Sequence, residues 1–359
     1  MNILGVIVEY NPLHSGHLSH LSLSKEISGC DAIIAVMSGN FVQRGEPAIY
    51  DKWKRTKMAL EAGVDLVIEL PLYYACAGAE YFAKAAVTLL EKTGIVNSLC
   101  FGSEWADIDL LKECAQAILK EDSAFKDCFK KNLQKGLSYP AARAQAASVK
   151  MPDTPNNILG IEYLKALMAM DSAIKPLTVP RSPGSASEVR ASLRQQALEN
   201  LADYDNLSPI FHYILRSRPA KELQNFVDVS EGLENRFIDC AKENRLISDI
   251  IKAAKCKRYT HLRLQRAVLH IILGISKENL QAYKSPQYIR VLGFNRKRAD
   301  LLSLLEKNAA LPLVTNLSKA KLPSLAMQML EEEIYSTKIY SLAFKEHVYL
   351  NEYSMPIKD

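Results

Sequence analysis

Ile3-Leu4-Gly5-Val6-Ile7-Val8-Glu9-Tyr10-Asn11-Pro12-Leu13-His14-Ser15-Gly16-His17-Leu18-Ser19-His20 sets an apolar run, a turn and a polar helix start in direct succession. Ile3 to Val8 is an unbroken apolar run, which predicts a strand covered on both faces. Asn11-Pro12 predicts a rigid turn. The residues after it predict a helix over Leu18–Glu26, ended by Gly29. A strand, a turn and a helix start place free N–H groups and the positive end of the helix beside any bound ligand. Gly16 lets that ligand approach the backbone, and the imidazoles of His14 and His17 flank it. Such a cradle suits triphosphate oxygens and stabilises charge that builds on phosphorus during in-line displacement. The same string can also be a plain helix cap. A metal site is less well supported, because the histidine pair lacks a third ligand nearby.

The strand–helix alternation continues outward from this stretch. Asp31–Met37, Val64–Leu70 and Ser98–Phe101 read as strands. Asp51–Ala62, with Gly63 as its C-cap, and Ala79–Glu91 read as helices. This order predicts right-handed crossovers and a Rossmann-like α/β domain with a parallel sheet. Ligands then sit beyond the carboxyl ends of the strands, so Tyr10–His17, Ser38–Gly45 and Gly102–Trp105 should converge on one crevice. Asp107–Ala147 and Asn157–Met170 read as mostly helical, and Leu177–Val179 as a last strand. A helix over Ser187–Gln196 follows, capped by Ser185 or Ser187. From Ala202 onward the pattern is helical with few strand signals. The expected division is an ATP-binding catalytic domain over 1–200 and a mainly α-helical, basic domain over 201–359.

The loops supply the candidate side chains. In the second, Ser38, Gly39, Asn40, Gln43 and Arg44 form a close-fitting segment in which Arg44 can hold a carboxylate or phosphate. Gly102-Ser103-Glu104 follows the fourth strand, and its glycine lets an adenine or ribose pack on the backbone. Glu69 ends the third strand and reads equally well as a solvent-facing terminus or as part of the crevice. Asn156 or Asn157 caps a helix or reads the nucleotide from there. Arg181 to Arg190 pairs two arginines with a serine-rich helix start, a pattern suited to phosphate charge.

Charge is unevenly distributed. The chain has 359 residues and a formal net charge of +5. Between Arg245 and Lys321 there are 16 Lys and Arg against 4 Asp and Glu, so the remainder is acidic, at about −7. Lys255, Lys257, Arg258 and Arg263 form one basic cluster, and Arg296, Lys297 and Arg298 form another. Aromatic residues lie between them, which favours a phosphate backbone partner over a merely solvated helix face. The seven cysteines are odd in number and form no C-x-x-C pair, as expected of reduced thiols in the cytoplasm. No apolar run is long enough to span a membrane, and the first residues do not read as a secretory signal.

The H-x-G-H signature after the first strand resembles that of the HIGH-type nucleotidyltransferase superfamily. Further blocks narrow the resemblance: V-E-Y-N-P-L-H-S-G-H, M-S-G-N-F-V-Q-R-G-E-P-A, G-V-D-L-V-I-E-L-P, F-G-S-E and P-N-N-I-L-G-I-E-Y. In this order they look like the bacterial tRNA(Met) cytidine acetate ligases, strongly over roughly the first 190 residues and more loosely beyond. The resemblance implies acetyl-adenylate formation from acetate and ATP. It then implies transfer of the acetyl group to the exocyclic amine of the wobble cytidine of elongator tRNA(Met). By motif, Ile7 through His20 would line ATP, joined by Gly102, Asn157 and Arg181. His14, His17 and Arg181 would carry the catalytic charge stabilisation. Ser185, Ser187 and Arg190 would fit a serine-rich turn that closes over the phosphates. The turn between Arg181 and Ser185 is short where relatives carry a longer loop. Mg²⁺ is an optional companion of ATP, for which no carboxylate cage is visible. From the residues alone, two other readings stay open: a nucleotidyltransferase making a dinucleotide-type cofactor, and a non-catalytic RNA-binding nucleotide sensor. Oligomeric state is not readable from the chain.

Overall fold

Alternating apolar runs and amphipathic helices fold as the spacing predicts over the first half. The computed structural model describes residues 1–120, 123–137, 142, 145–146, 151–181, 186–196, 200–346 and 348–359. The strands of the first half are β1 (Ile3–Val8), β2 (Ala32–Ser38), the short hairpin β3 (Phe41–Val42) and β4 (Glu46–Pro47), β5 (Leu66–Leu70), β6 (Ser98–Ser103) and β7 (Lys175–Pro180). Between them lie α1 (Ser15–Ser28), α2 (Lys52–Glu61), α3 (Leu72–Ala75), α4 (Ala79–Lys92), α5 (Ile108–Leu119), α6 (Ser123–Gln134) and α7 (Pro155–Ala169). Helix α8 (Ala186–Gln196) follows β7. The predicted Ser182–Ser185 turn and the later part of the Asp107–Ala147 segment lie outside the described residues.

The later half is helical but not purely so. It contains α9 (Ser208–Ser217), α10 (Ala220–Leu223), α11 (Leu233–Glu243), α12 (Ile247–Ala254), α13 (His261–Leu273), α14 (Lys277–Ala282), α15 (Asp300–Asn308) and α16 (Ser324–Tyr340). It also supplies β8 (Ile289–Phe294), β9 (Leu313–Val314) and β10 (Ile357–Lys358). Among the described residues the main sheet runs β10-β8-β5-β2-β1-β6-β7, with β9 also paired to β8. Residue 200 is therefore no border of the sheet. Strand β8 escapes a periodicity reading because Arg290 and Gly293 interrupt its apolar run. The Arg290 charge is met inside the protein, by Glu69 at 2.9 Å and Glu352 at 2.6 Å.

Strands β5, β2, β1, β6 and β7 are parallel, and β8 runs antiparallel to β5. Alternation along β1 builds two cores. Leu4, Val6 and Val8 pack with Leu21 of α1 and with Ala59 and Leu60 of α2. Ile3 packs with α4 and α7 on the other face, and Ile7 sits against the same cluster. Strand order reverses at β1, with β2 on one side and β6 on the other. In open α/β sheets ligands sit at such a switch point, beyond the carboxyl ends of the strands. Among the described residues no helix is long and apolar enough to cross a membrane.

Candidate active site

The segment after β1 turns sharply. Tyr10 takes a positive φ of 47°, which a non-glycine residue adopts only where its surroundings hold it. Asn11 is buried, and its Oδ1 accepts the Ile49 N–H at 2.8 Å. His14 then caps α1 with its imidazole: Nδ1 accepts the Gly16 N–H at 3.1 Å. His17 reaches back, and its Nδ1 accepts the His14 N–H at 3.3 Å. The two rings stack with centroids 3.8 Å apart, and Tyr10 meets the His17 ring edge-on at 5.1 Å.

This reciprocal cap settles the tautomers. A ring nitrogen that accepts a backbone N–H carries no proton, so each neutral imidazole holds its proton on Nε2. Both rings stay neutral near pH 7. Burial and then the neighbouring His14 and His20 push His17 down to about 3. Burial and then Arg181 lower His14. Two Nε2–H donors are thus held at the head of α1, where the N–H groups of the first turn add to them. The plain-cap reading is met, since one nitrogen of each ring serves the cap, while the other nitrogen takes no part in it.

Across the switch point, β6 and β7 add a second group. A Cβ on Gly102 would stand 3.6 Å from His20 Cδ2, so the bare backbone leaves the floor of the crevice open above His20. Burial lowers His20 to about 4. Glu104 is held by Asn156 Nδ2 at 2.8 Å and the Asn157 N–H at 2.9 Å. These bonds outweigh burial and lower its pKa. Its Oε1 lies 3.4 Å from Arg181 Nη1, which aims that half-exposed guanidinium. Asn157 itself is fully buried. Its Oδ1 accepts the Trp105 N–H at 3.2 Å and its Nδ2 donates to Thr154 at 2.7 Å. Each end of its side chain has a partner in the protein, and through Trp105 Asn157 holds the Gly102–Trp105 turn.

On the β2 side, the Ser38–Arg44 loop divides in two. Arg55 is buried and donates to the carbonyls of Glu9 at 2.6 Å, Ser38 at 3.1 Å, Tyr50 at 3.0 Å and also Gly39. Asn40 is buried too, donating to Thr337 at 2.8 Å and accepting the Lys52 N–H at 2.8 Å. Beneath it Lys52 pairs with Glu69 at 2.6 Å and Glu352 at 2.7 Å. Ser38, Gly39 and Asn40 therefore belong to the loop's foundation, and so does Glu69. Gln43 is half-buried and Arg44 exposed, so these two remain to face a ligand. The helix expected over Asp51–Ala62 gave no sign of the Arg55 clamp, because its acceptors are backbone carbonyls of other segments.

Helix α8 closes the arrangement. Arg190 donates from Nη1 to the Asn11 carbonyl at 2.8 Å and from Nη2 to Ser187 at 3.2 Å. It also pairs with Glu46 at 3.4 Å. Ser187 is exposed, and Ser185 lies outside the described residues.

Comparison with known proteins names the family to which this arrangement of strands, turn and helix belongs. The HIGH Nucleotidyl Transferase profile matches residues 1–193 and 184–354. The tRNA(Met) cytidine acetate ligase of Thermoanaerobacter sp. (strain X514) is 41% identical, with 96% of each chain covered. That of Clostridium perfringens (strain ATCC 13124) is 41% identical over 95% of each. This chain belongs to the tRNA(Met) cytidine acetate ligase family, within the HIGH nucleotidyl transferases. A crystal structure of Thermotoga maritima TmcAL bound with alpha-thio ATP superposes with a TM-score of 0.93 at 33% identity, covering 100% of this chain and 99% of that one. The Thermoanaerobacter alignment runs over 387 positions, more than the 359 residues here, so that ligase carries segments this chain lacks.

Two further features bear on how a member of this ligase family works. The first is that the basic clusters do not share a face. Lys255, Lys257 and Arg258 are exposed just before α13. One turn into that helix, the Arg266 backbone N would lie 2.5 Å from a Cβ on Gly45, so α13 packs directly on the β3–β4 hairpin at the carboxyl edge. Arg263 in the same cluster is partly spent on Glu231 at 3.1 Å. Arg296–Arg298 follow the end of β8, where Phe294 pairs with Leu66 at the start of β5. Arg298 contacts the Asp31 carbonyl and Met1, and pairs with Asp300 at 3.3 Å. That cluster lies at the amino edge, about 20 Å from the crevice at one strand's length. The second is the metal question. Among the described residues no group of three His, Cys, Asp or Glu side chains converges to hold an ion.

Proposed function

We propose that this chain activates acetate with ATP and acetylates the exocyclic amine of the wobble cytidine of elongator tRNA(Met). The observation that carries the proposal is the pair of Nε2–H donors at the head of α1, fixed by the reciprocal His14–His17 cap. The names of the relatives supply the substrates. In the first step an acetate oxygen attacks the α-phosphorus and the bond to the β-phosphate breaks, releasing pyrophosphate. His14 and His17 meet the developing charge as neutral donors, and Arg181 meets it as a fixed cation. Donors set before the reaction cost no reorganisation when charge appears, which is where their catalytic value lies. In the second step the cytidine amine attacks the acetyl carbonyl and AMP leaves. The Lys255–Arg263 cluster would hold the tRNA phosphates beside the crevice. Mg²⁺, where needed, would arrive on the ATP. Seven free cysteines suit the reducing cytoplasm in which tRNA is found. Incubation with labelled acetate, ATP and total tRNA tests the proposal. Label on a cytidine of tRNA supports it; label only in small molecules, or none, overturns it.

A further inference from the structure

Glu9 is a carboxylate in an unusual place. It follows Val8 at the carboxyl end of β1, and the turn at Tyr10 begins immediately after it. Val8 and Tyr10 lie on the α1 face, where Tyr10 touches the His17 ring. Ile7 lies against the α4 and α7 core, and Glu9 continues that side. Its Oε1 accepts the Gln43 N–H at 2.7 Å. Among the described residues no donor meets its Oε2, and the residue is only half-buried. One oxygen is thus anchored while the other has no donor among the described residues.

The titratable groups around it come from several neighbouring elements: Arg44 and Glu46 from the hairpin, Arg55 from α2, Arg190 from α8, and the neutral Cys76 after α3 and Tyr163 from α7. The hairpin is also the element on which α13 packs, and the exposed Lys257 and Arg258 lie just before α13. A nucleotide held by that cluster would approach the switch point past Arg44 and Gln43, beside Glu9. In the proposed reaction the ATP phosphates would lie at His14 and His17. An acetyl-adenylate at the switch point would lie between that nucleotide and these histidines.

We propose that Glu9 is the general base of acetyl transfer, taking on Oε2 the proton that the cytidine amine sheds. This rests on the proposed ligase activity. The amine lone pair forms the N–C bond to the acetyl carbonyl. The bond from that carbon to the phosphate oxygen breaks, AMP leaves with the electron pair, and the amine proton passes to Glu9. Burial raises the Glu9 carboxyl above its ordinary value, against the opposing pull of Gln43, Arg44 and Arg55. That shift makes the ionised form a stronger base.

The test separates the two half-reactions. Acetate-dependent ATP–pyrophosphate exchange reads adenylation, and single-turnover transfer from enzyme-bound acetyl-adenylate to tRNA reads the second step. Glu9→Gln keeps an oxygen for the Gln43 N–H but cannot take a proton. It should slow transfer about 100-fold more than it slows exchange. Wild-type transfer should rise with pH through the Glu9 ionisation, and the variant's should not. With Glu9→Ala, added formate should restore part of the transfer rate. Equal losses in both half-reactions, a pH rise that survives in Glu9→Gln, or no response to formate would each overturn the role. Wild-type enzyme that makes no acetyl-adenylate would overturn the ligase reading itself, which is a different outcome.

Discussion

The Arg190 guanidinium donates to the Asn11 carbonyl at 2.8 Å, although 179 positions separate the two residues. It thereby pins the turn that leads into the His14–His17 cap, and it shares its remaining donors with Ser187 and Glu46. A buried hydrogen bond from a charged donor is worth about 1.5–3 kcal/mol. Arg190→Ala should lower kcat/KM for ATP in pyrophosphate exchange by about 10- to 100-fold. Arg190→Lys should recover little, because an ammonium cannot span three acceptors held at those separations. Unchanged kcat/KM in Arg190→Ala would show that the turn holds without it.

The neutral histidines make a second prediction. Burial depresses His17 to about 3 and His20 to about 4. A depressed histidine stays unprotonated in the folded chain while the unfolded chain takes up a proton near 6.5. Its contribution to stability is therefore present above about pH 6.5 and drains away as pH falls toward the folded values. The imidazole resonances of both residues in the free enzyme should not titrate between pH 9 and about 5. His17→Ala should cut adenylate formation by at least about 100-fold, since it removes both a donor and half of the cap. A His17 titration near 6.5 would contradict the neutral-donor reading.

The buried acids under the substrate loop give the third. Three carboxylates, Glu69, Glu333 and Glu352, face the two cations Lys52 and Arg290. Lys52 and Arg290 overcome burial and hold Glu352 down at about 2. Burial, reinforced by Glu69, pushes Glu333 up to about 8. Glu333 thus keeps its proton near neutrality and the cluster balances. An acid raised on folding stabilises fully below its unfolded value of 4.5 and loses that contribution as pH rises through about 8. Denaturant midpoints of the wild type should fall between pH 5 and 9, and those of Glu333→Gln should fall less. Equal slopes would mean that Glu333 is ionised in the fold. The same pair explains Gly39: a Cβ there would stand 2.8 Å from Glu69 Oε1 and 2.9 Å from Glu333 Oε1.

The separation of the basic clusters predicts unequal effects on RNA. Neutralising Lys257 and Arg258 together should raise KM for tRNA by about 10-fold and flatten its salt dependence, without altering exchange. Neutralising Arg296 and Lys297 should change KM less than about 2-fold, because they sit at the far edge of the sheet. Equal losses would show that the tRNA reaches around the sheet.

Much of this was readable in the chain, for identifiable reasons. Strands β1, β2, β5 and β6 are apolar runs covered on both faces, and such runs announce themselves. The His14–His17 cradle follows from its place between a strand and a helix. Strand β8 was hidden because its arginine is neutralised by Glu69 and Glu352, partners that no local pattern reveals. The partners of Asn40 and Asn157 could not be read from the chain, because a loop asparagine carries no sign of what its amide will bond. Arg55 and Arg190 illustrate the converse: each is a helical arginine whose value lies in backbone carbonyls distant in sequence.

Acetate-dependent ATP–pyrophosphate exchange in the absence of tRNA reads adenylation by itself. The paired neutral donors at the head of α1 predict that wild-type protein exchanges label between pyrophosphate and ATP when acetate is added. They also predict that His17→Ala, still folded, does not. Exchange that ignores acetate, or that survives His17→Ala at the wild-type rate, would contradict the account.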